Sequence, residues 1–595
     1  MKPAPFSPKP DAGHPGPGNT KPAPGGPVVP IGPVLKRADA VLIIAFSLIP
    51  LLLHFPYRVN IFLSWEGAYR LYLGQVPYRD FGLPMGFGYW ILPALFFKLF
   101  GPSMLSLIKA QVLLNVMVGF SFRGLLRRLG VPLAIRTGAV LTLCLSYILI
   151  NFWPWYNNTD IIYGIVGLNL LLCGLLSDDR SALGRYSSIA GAAFFLFLSF
   201  FTKQDGGFLM FALAAALVGY MALAHQRWKE AGFFFLCYMV IALLIILPFT
   251  RYSFGYWFNH GQAPHTARLS PRDIITEFLG YSQWIKFYIL LIVLVVLAKV
   301  QKAGLTAFWK DRNEMLFLLL TLGMLATAAV FQVTSYTPPD NNIFFHAFAI
   351  AYILAGIAEL FQLRPEAPRN LAFILASLLL WWSGSYWKYL DRITARVFPA
   401  APIASVSPTG ENVINRNTYM INPDTTHYED ESTWKEVPGM KAFRKIYLPP
   451  STVAGIQRLR EMPEFAGSRP GFHAISNGFQ DGHMHGEPDA GWIPHVLNMS
   501  ELTPLAKELN FTEDRGSMEP LWYHLGVCMF NREADTVCAR IMRKEYDVVL
   551  FEYVPVLNNF YPFRVRDSLQ RSYRLVDSFL APRRPTNGYI EVYRR

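Results

Sequence analysis

The sequence predicts a polytopic α-helical membrane protein with about eleven spans, followed by a mixed α/β portion outside the bilayer. Three observations predict it. Of the 595 residues 52% are hydrophobic and only 16% are charged, against about a quarter charged in an ordinary soluble domain. Apolar runs of roughly the length that crosses a hydrocarbon layer recur as far as residue 387. From residue 388 onward Pro, Asn, Asp, Glu and Lys are spread through the chain, with short β-rich runs such as YDVVLFEYVPV and GYIEVYRR.

Residues 1–34 are rich in Pro and Gly and hold too little apolar surface to offset chain entropy, so they are expected to be a disordered tail. The first apolar run, 39–56, leads into further membrane segments and is expected to be a retained span rather than a cleaved signal. Further spans are expected near 103–121, 133–150, 160–177, 187–202, 207–224, 231–250, 281–299, 314–331, 343–362 and 370–387. The stretch 85–101 is short, holds Pro93 and Lys98, and ends at Gly101 and Pro102. It is expected to lie at the interface without crossing.

Every second connection is basic: Lys36 and Arg37; Arg123, Arg127 and Arg128; Arg180 and Arg185; Arg227 and Lys229; Lys299, Lys302, Lys310 and Arg312; Arg364 and Arg369. Basic connections stay cytoplasmic, so the formal charge of +13 reads as membrane topology rather than a nucleic-acid surface. This places the N-terminus in the cytoplasm. It places the loop 57–102, the shorter alternate loops and the soluble portion 388–595 on the outer face, the periplasm of a bacterium. The spans lie within 35–387. Cys528 and Cys538 are the pair of cysteines in the exported portion, where a disulfide is permitted.

The first outer loop, SWEGAYRLYLGQVPYRDFGLPMGFGYW, sets Glu66 and Asp80 among aromatic and basic residues at the membrane surface. Both carboxylates can be paired with Arg58, Arg70 or Arg79, or can carry chemistry. FFTKQDGG interrupts two spans with Lys203, Gln204 and Asp205 before a Gly206-Gly207 turn, and NFWPWYNNTD ends in Asp160. Trp153, Trp155 and Tyr156 there fit an aromatic belt. Two other outer loops bring Arg251, His260 and His265, and Tyr336, Asp340 and His346.

The order Glu66, Gly67, Tyr69, Gly74, Pro77, Tyr78, Asp80, Phe81, Pro84, then Leu99, Phe100 and Gly101 resembles the GT-C superfamily of membrane glycosyltransferases that use polyprenyl-phosphate sugars, in particular family 39 and the aminoarabinose-transferase-like proteins. The likeness spans roughly residues 39–130 well and the rest more loosely. It implies a sugar transferase acting between a polyprenyl-phosphate sugar in the bilayer and an envelope glycan, lipid or protein. Glu66 or Asp80 would be the base; Lys203, Arg251, Arg58 or Arg79 would hold the donor phosphate; Tyr69, Gln204, Asp160 and His346 would contact substrate. The sequence departs from the family at Trp65, where many relatives carry the first of two acids.

No cofactor is expected. The run DGHMHGE, with Asp481, His483, His485 and Glu487, reads as a flexible loop around Gly482 and Gly486 rather than a metal site, and a divalent metal has no support. A Gly-rich phosphate loop, CxxC pairs of zinc spacing and a GxSxG elbow are absent from the sequence. Two alternatives stay open. A transporter or flippase of lipid-linked sugar would carry its ionisable groups in mid-span, and a noncatalytic subunit of an envelope assembly complex would fit the loss of the acid at Trp65.

Overall fold

The computed structural model describes residues 31–56, 61–176, 181–252, 254–261, 271–334, 343–397, 433–466, 493–516, 519–523, 529, 531–554, 562–582 and 588–595. Among the described residues sixteen α-helices precede residue 398. They are α1 (Ile31–Leu52), α2 (Ile61–Tyr72), α3 (Gly88–Phe100), α4 (Met104–Arg128), α5 (Leu133–Ser146), α6 (Tyr156–Leu176), α7 (Ala182–Thr202) and α8 (Gln204–His225). Then come α9 (Trp228–Ile246), α10 (Pro271–Tyr281), α11 (Gln283–Ala303), α12 (Leu305–Lys310), α13 (Arg312–Thr334), α14 (Phe345–Leu360), α15 (Pro368–Trp381) and α16 (Ser383–Val397).

Among the described residues eight helices are long and apolar enough to cross a membrane: α4 to α9, α11 and α13, with α5 and α9 prolonged by short 3₁₀ turns. The other three expected spans fall on α1, α14 and α15. The last two have 16 and 14 residues, fewer than the ~20 of a straight crossing. Helix α1 begins at Ile31, inside the stretch expected to be tail. Helix α3, at 13 residues, is about 20 Å long, shorter than a straight crossing needs.

One apolar core joins α4 to α8, α11, α13 and α14. Helices α9 and α11 flank it and turn Leu236, Leu244, Leu290 and Leu294 outward, which suits hydrocarbon rather than water. A second apolar core begins with Trp65, Trp90 and Phe97 of α2 and α3 and runs on into the C-terminal portion.

That portion is built on a four-stranded sheet of order β3-β4-β6-β5. Its strands are β3 (Val496–Met499), β4 (Val548–Tyr553), β5 (Arg574–Leu580) and β6 (Tyr589–Arg594). Strand β3 runs parallel to β4, and β6 antiparallel to β4 and β5. The two expected β-rich runs are β4 and β6. Because strand side chains alternate, Val548 and Leu550 face α17 (Pro450–Glu461) through Ile456 and Leu459. Val549 and Phe551 face α19 (Asn531–Met542) and α20 (Phe563–Ser572) through Val537 and Leu569. The short α18 (Leu505–Glu508) lies between β3 and α19 in the chain.

Backbone pairing joins this unit to the first loop. Strands β1 (Phe55–Pro56) and β2 (Ile446–Tyr447) pair in parallel. The Gly82 N–H donates to Glu519 O at 2.7 Å and the Leu521 N–H to Gly82 O at 2.9 Å. The Thr503 hydroxyl donates to Phe62 O at 3.1 Å. Such bonds fix register as well as contact.

Candidate functional site

Helix α2 is buried from Ile61 to Arg70 because it is wedged between bundle and C-terminal unit. Trp65 stacks on Tyr69, with ring centroids 4.4 Å apart, and lies 5.8 Å from Phe97. Trp65 therefore serves as core packing. Glu66 is paired with Arg70 one turn on, Oε1 to Nε at 2.6 Å. The rest of the Arg70 fork donates to Gln75 Oε1 at 3.3 Å, Asp514 O at 3.0 Å and Glu513 Oε2 at 3.3 Å. Burial, with the Glu66 carboxylate beside it, holds the Glu513 carboxyl well above its ordinary range, favouring a proton on Glu513.

The network continues inward. Asp514 accepts from His495 Nε2 at 2.6 Å, Arg540 Nη1 at 2.8 Å and the Tyr546 hydroxyl at 2.6 Å. Glu519 accepts from Arg540 at 2.8 Å and from the Tyr523 hydroxyl at 2.6 Å. Burial alone would raise the Asp514 carboxyl, but the bonds from His495 and Tyr546 and the Arg540 charge hold it below its ordinary value. The bond to Asp514 raises the His495 imidazole.

Asp80 has a different task. Its Oδ2 accepts from Val76 N and from Arg79 Nη2, each at 2.7 Å, and its Oδ1 from Arg79 Nε at 3.1 Å. The Arg79 bond lowers its pKa, so Asp80 is a weak base. The Asp80 carbonyl accepts from Gly516 N at 2.8 Å. Beside it buried Tyr78 sits at φ +65°, a conformation costly for a bulky residue, held by its hydroxyl on Met85 O at 2.7 Å. Glu66 and Asp80 thus belong to the joint between loop and C-terminal unit.

A second group lies where α7 meets α8. Lys203 alone breaks the helices, at φ −151° and ψ 123°. Gly206 and Gly207, expected to form the turn, lie within the first turns of α8. A Cβ on Gly206 would stand 2.0 Å from Asp160 Oδ2, so glycine there lets Asp160 approach. Lys203 Nζ is 3.0 Å from Asp205 Oδ2 and 4.3 Å from the centre of the Phe331 ring. The Thr334 hydroxyl donates to Asp205 Oδ2 at 2.7 Å. Asp160 is fully buried. Its Oδ1 accepts from Ile161 N at 2.7 Å, and its Oδ2 has no hydrogen-bond partner among the described residues. Asn157 Oδ1, Thr159 Oγ1 and Thr202 Oγ1 are likewise buried without one. Clustered dehydrated polar atoms are the groups that a polar ligand or water satisfies.

Gln204 ties this group to the first loop, donating to Pro84 O and Trp257 O at 3.3 Å each. A Cβ on Gly86 would meet Phe201 O at 1.7 Å, so the loop presses directly on the break. The ring of Tyr89 stands 6.0 Å from that of Tyr156, which lies 5.8 Å from Lys203 Nζ.

The remaining expected residues fall elsewhere. Arg251 is exposed over the Tyr252 ring at 4.8 Å. His346 is buried against Trp284 and Trp382 and bonds the Tyr288 hydroxyl at 2.9 Å. Cys538 is a free, half-buried thiol, while Cys528, with which a disulfide is permitted, lies outside the described residues. So do Arg58, His265, Tyr336, Asp340 and the 481–487 run, and of the His260 side chain nothing is described. No group of three or more metal-ligating side chains occurs among the described residues.

Fold and site together define a polytopic helical membrane protein with a polar group at the end of its bundle, covered by the first loop, to which the α/β unit is joined. The apo structure of ArnT from Cupriavidus metallidurans resembles it with a TM-score of 0.50 and 10% sequence identity over 94% of this chain and 98% of that one. ArnT from the same organism bound to undecaprenyl phosphate matches with a TM-score of 0.41 and 14% identity over 64% of this chain and 67% of that one. At these identities the likeness concerns the fold. Neither a family model nor a curated protein matches the sequence.

Two predictions follow from the joint. Arg70→Met leaves Glu66 and Glu513 facing each other without a cation and should cost about 3–5 kcal/mol, read as a lowered thermal midpoint of the detergent-solubilised chain; an unchanged midpoint contradicts the role given to Arg70. The stability from His495 is fully present below pH ~6.5 and lost as pH rises through its raised pKa, whereas that from Asp514 is lost as pH falls through its lowered one. His495→Gln should therefore flatten the loss of thermal midpoint above pH ~6.5, and a variant that keeps the wild-type slope refutes the assignment.

Proposed function

We propose that this chain transfers a sugar from a polyprenyl-phosphate donor to a cell-envelope acceptor, whether glycan, lipid or protein. The reaction takes place on the periplasmic side of a bacterial inner membrane. The observation that carries the reading is the Lys203 group. A cation at a helix break and a buried carboxylate with an unshared oxygen meet at one end of a set of apolar helices, under the loop that resembles the GT-C pattern. The GT-C-like fold supports it.

In this reading Asp160 takes the proton from the acceptor hydroxyl or amine as that group attacks the anomeric carbon. The bond from that carbon to the phosphate oxygen breaks, and the departing phosphate carries its negative charge to Lys203. The chemistry expected of Glu66 or Asp80 passes to Asp160 because each of those two is already engaged by an arginine. They position the loop that covers the reacting groups, with Gln204 and Tyr89 between loop and break. The transporter alternative gains nothing, since the Lys203 group sits at helix ends. The noncatalytic alternative draws support from the ion pair that engages Glu66 Oε1.

The test is transfer of radiolabelled sugar from a panel of polyprenyl-phosphate sugars to envelope extract. Asp160→Asn should lower kcat by about 10²- to 10⁴-fold, Lys203→Met should raise the donor KM as well, and Asp80→Asn should keep most activity. Wild-type rates in Asp160→Asn with loss in Glu66→Gln return the base to Glu66. No transfer by the wild type with any donor favours binding without chemistry.

A further inference from the structure

Helix α4 has 25 residues and runs about 37 Å from Met104, in the core shared with Trp65 and Phe97, to Arg128 at the other end of the bundle. There a cavity of about 340 Å³ is lined by Arg123, Gly124, Arg127 and Arg128. Two of these guanidiniums are held from behind. Arg123 Nε lies 2.8 Å from Asp39 Oδ2, which is also 3.1 Å from Arg136 Nε, and Arg128 Nη1 donates to Asn169 Oδ1 at 2.5 Å. Gly124 lets Asn169 and Arg128 close onto α4, since a Cβ there would stand 2.6 Å from Asn169 Oδ1 and 2.8 Å from Arg128 Nη1.

Complementing the helix dipole explains basic residues in the last turn. It does not explain Arg123 one turn earlier, ion-paired with fully buried Asp39. Among the described residues, Asp39 is the carboxylate paired with Arg123 and Arg136, and Arg127 and Arg128 add two more guanidiniums, so arginine outnumbers carboxylate there. Fixed guanidinium forks match phosphate oxygens in pairs. At 25 residues and about 37 Å, α4 is long enough to cross the hydrocarbon and carry its last turn to the level of lipid phosphates.

We propose that Arg123, Arg127 and Arg128 form a receptor for a phosphate group, carried by an anionic lipid headgroup in the leaflet at that end of the bundle. The site is separate from the Lys203 group and stands whether or not sugar transfer is found. Arg127 is its exposed member, so Arg127→Gln changes the ligand field without disturbing the Asp39 pair.

The experiment titrates the purified full chain in detergent with short-chain phosphatidylglycerol, short-chain phosphatidylcholine and inorganic phosphate, comparing wild type with Arg127→Gln. Thermal midpoints without ligand check that both are folded. Phosphatidylglycerol should bind saturably to wild type, at least about tenfold more weakly to Arg127→Gln and to either protein in high salt, and more tightly than phosphatidylcholine. Inorganic phosphate binding as tightly as phosphatidylglycerol, and weakened in Arg127→Gln, overturns the lipid source and assigns the cradle to soluble phosphate. Equal affinity of wild type and Arg127→Gln for phosphatidylglycerol, or no preference over phosphatidylcholine, overturns the proposal.

Discussion

Buried Arg70 is the group on which the arrangement of the capped end depends. A guanidinium taken out of water is costly unless each donor finds an acceptor. Here those acceptors come from both sides of a joint: Glu66 and Gln75 from the first loop, Glu513 and the Asp514 carbonyl from the C-terminal unit. Neither side can leave without stranding charge. The backbone pairs at Gly82 and Phe55 then fix the register in which the unit sits. The apolar core that runs from Trp65 and Trp90 into the sheet supplies the non-directional share of the attachment.

That joint controls the Lys203 group at one remove. The same loop that Arg70 and Asp80 pin to the C-terminal unit delivers Pro84 to Gln204 and Gly86 to the backbone of α7. Polar atoms at the ends of membrane helices are expensive to bury, yet Asp160, Lys203 and Asp205 are drawn together there around two inward-facing glycine and threonine positions, Gly206 and Thr334. A set of charges kept at such cost is more readily understood as chemistry or ligand binding than as anchoring. The arginine cradle at the far end of α4 follows different logic, with positive charge left over rather than neutralised.

The membrane class, the positions of the long helices, the shortness of α3 and the two central strands were legible in the sequence because each rests on local periodicity and composition. So was the pairing of Glu66 with an arginine, since Arg70 lies one helical turn away. The partners across the joint were not, because Glu513, Asp514 and Gly516 meet the loop from more than four hundred positions further along the chain, and nothing local announces them. The turn expected at Gly206-Gly207 shows the limit of reading glycine as punctuation: both glycines serve close approach inside a helix, to Asp160 and to Phe200, while the break falls on Lys203. Trp65 was conspicuous by comparison with relatives, but its role in stacking on Tyr69 and Phe97 required the fold.

The most direct test of the central claim is a structure of the full chain in a lipid nanodisc with a polyprenyl-phosphate sugar bound. The account predicts the donor phosphate on Lys203, with the anomeric carbon within reach of an acceptor oriented by Asp160. A donor phosphate seated away from the α7–α8 break, with Asp160 still enclosed by protein alone, would contradict it.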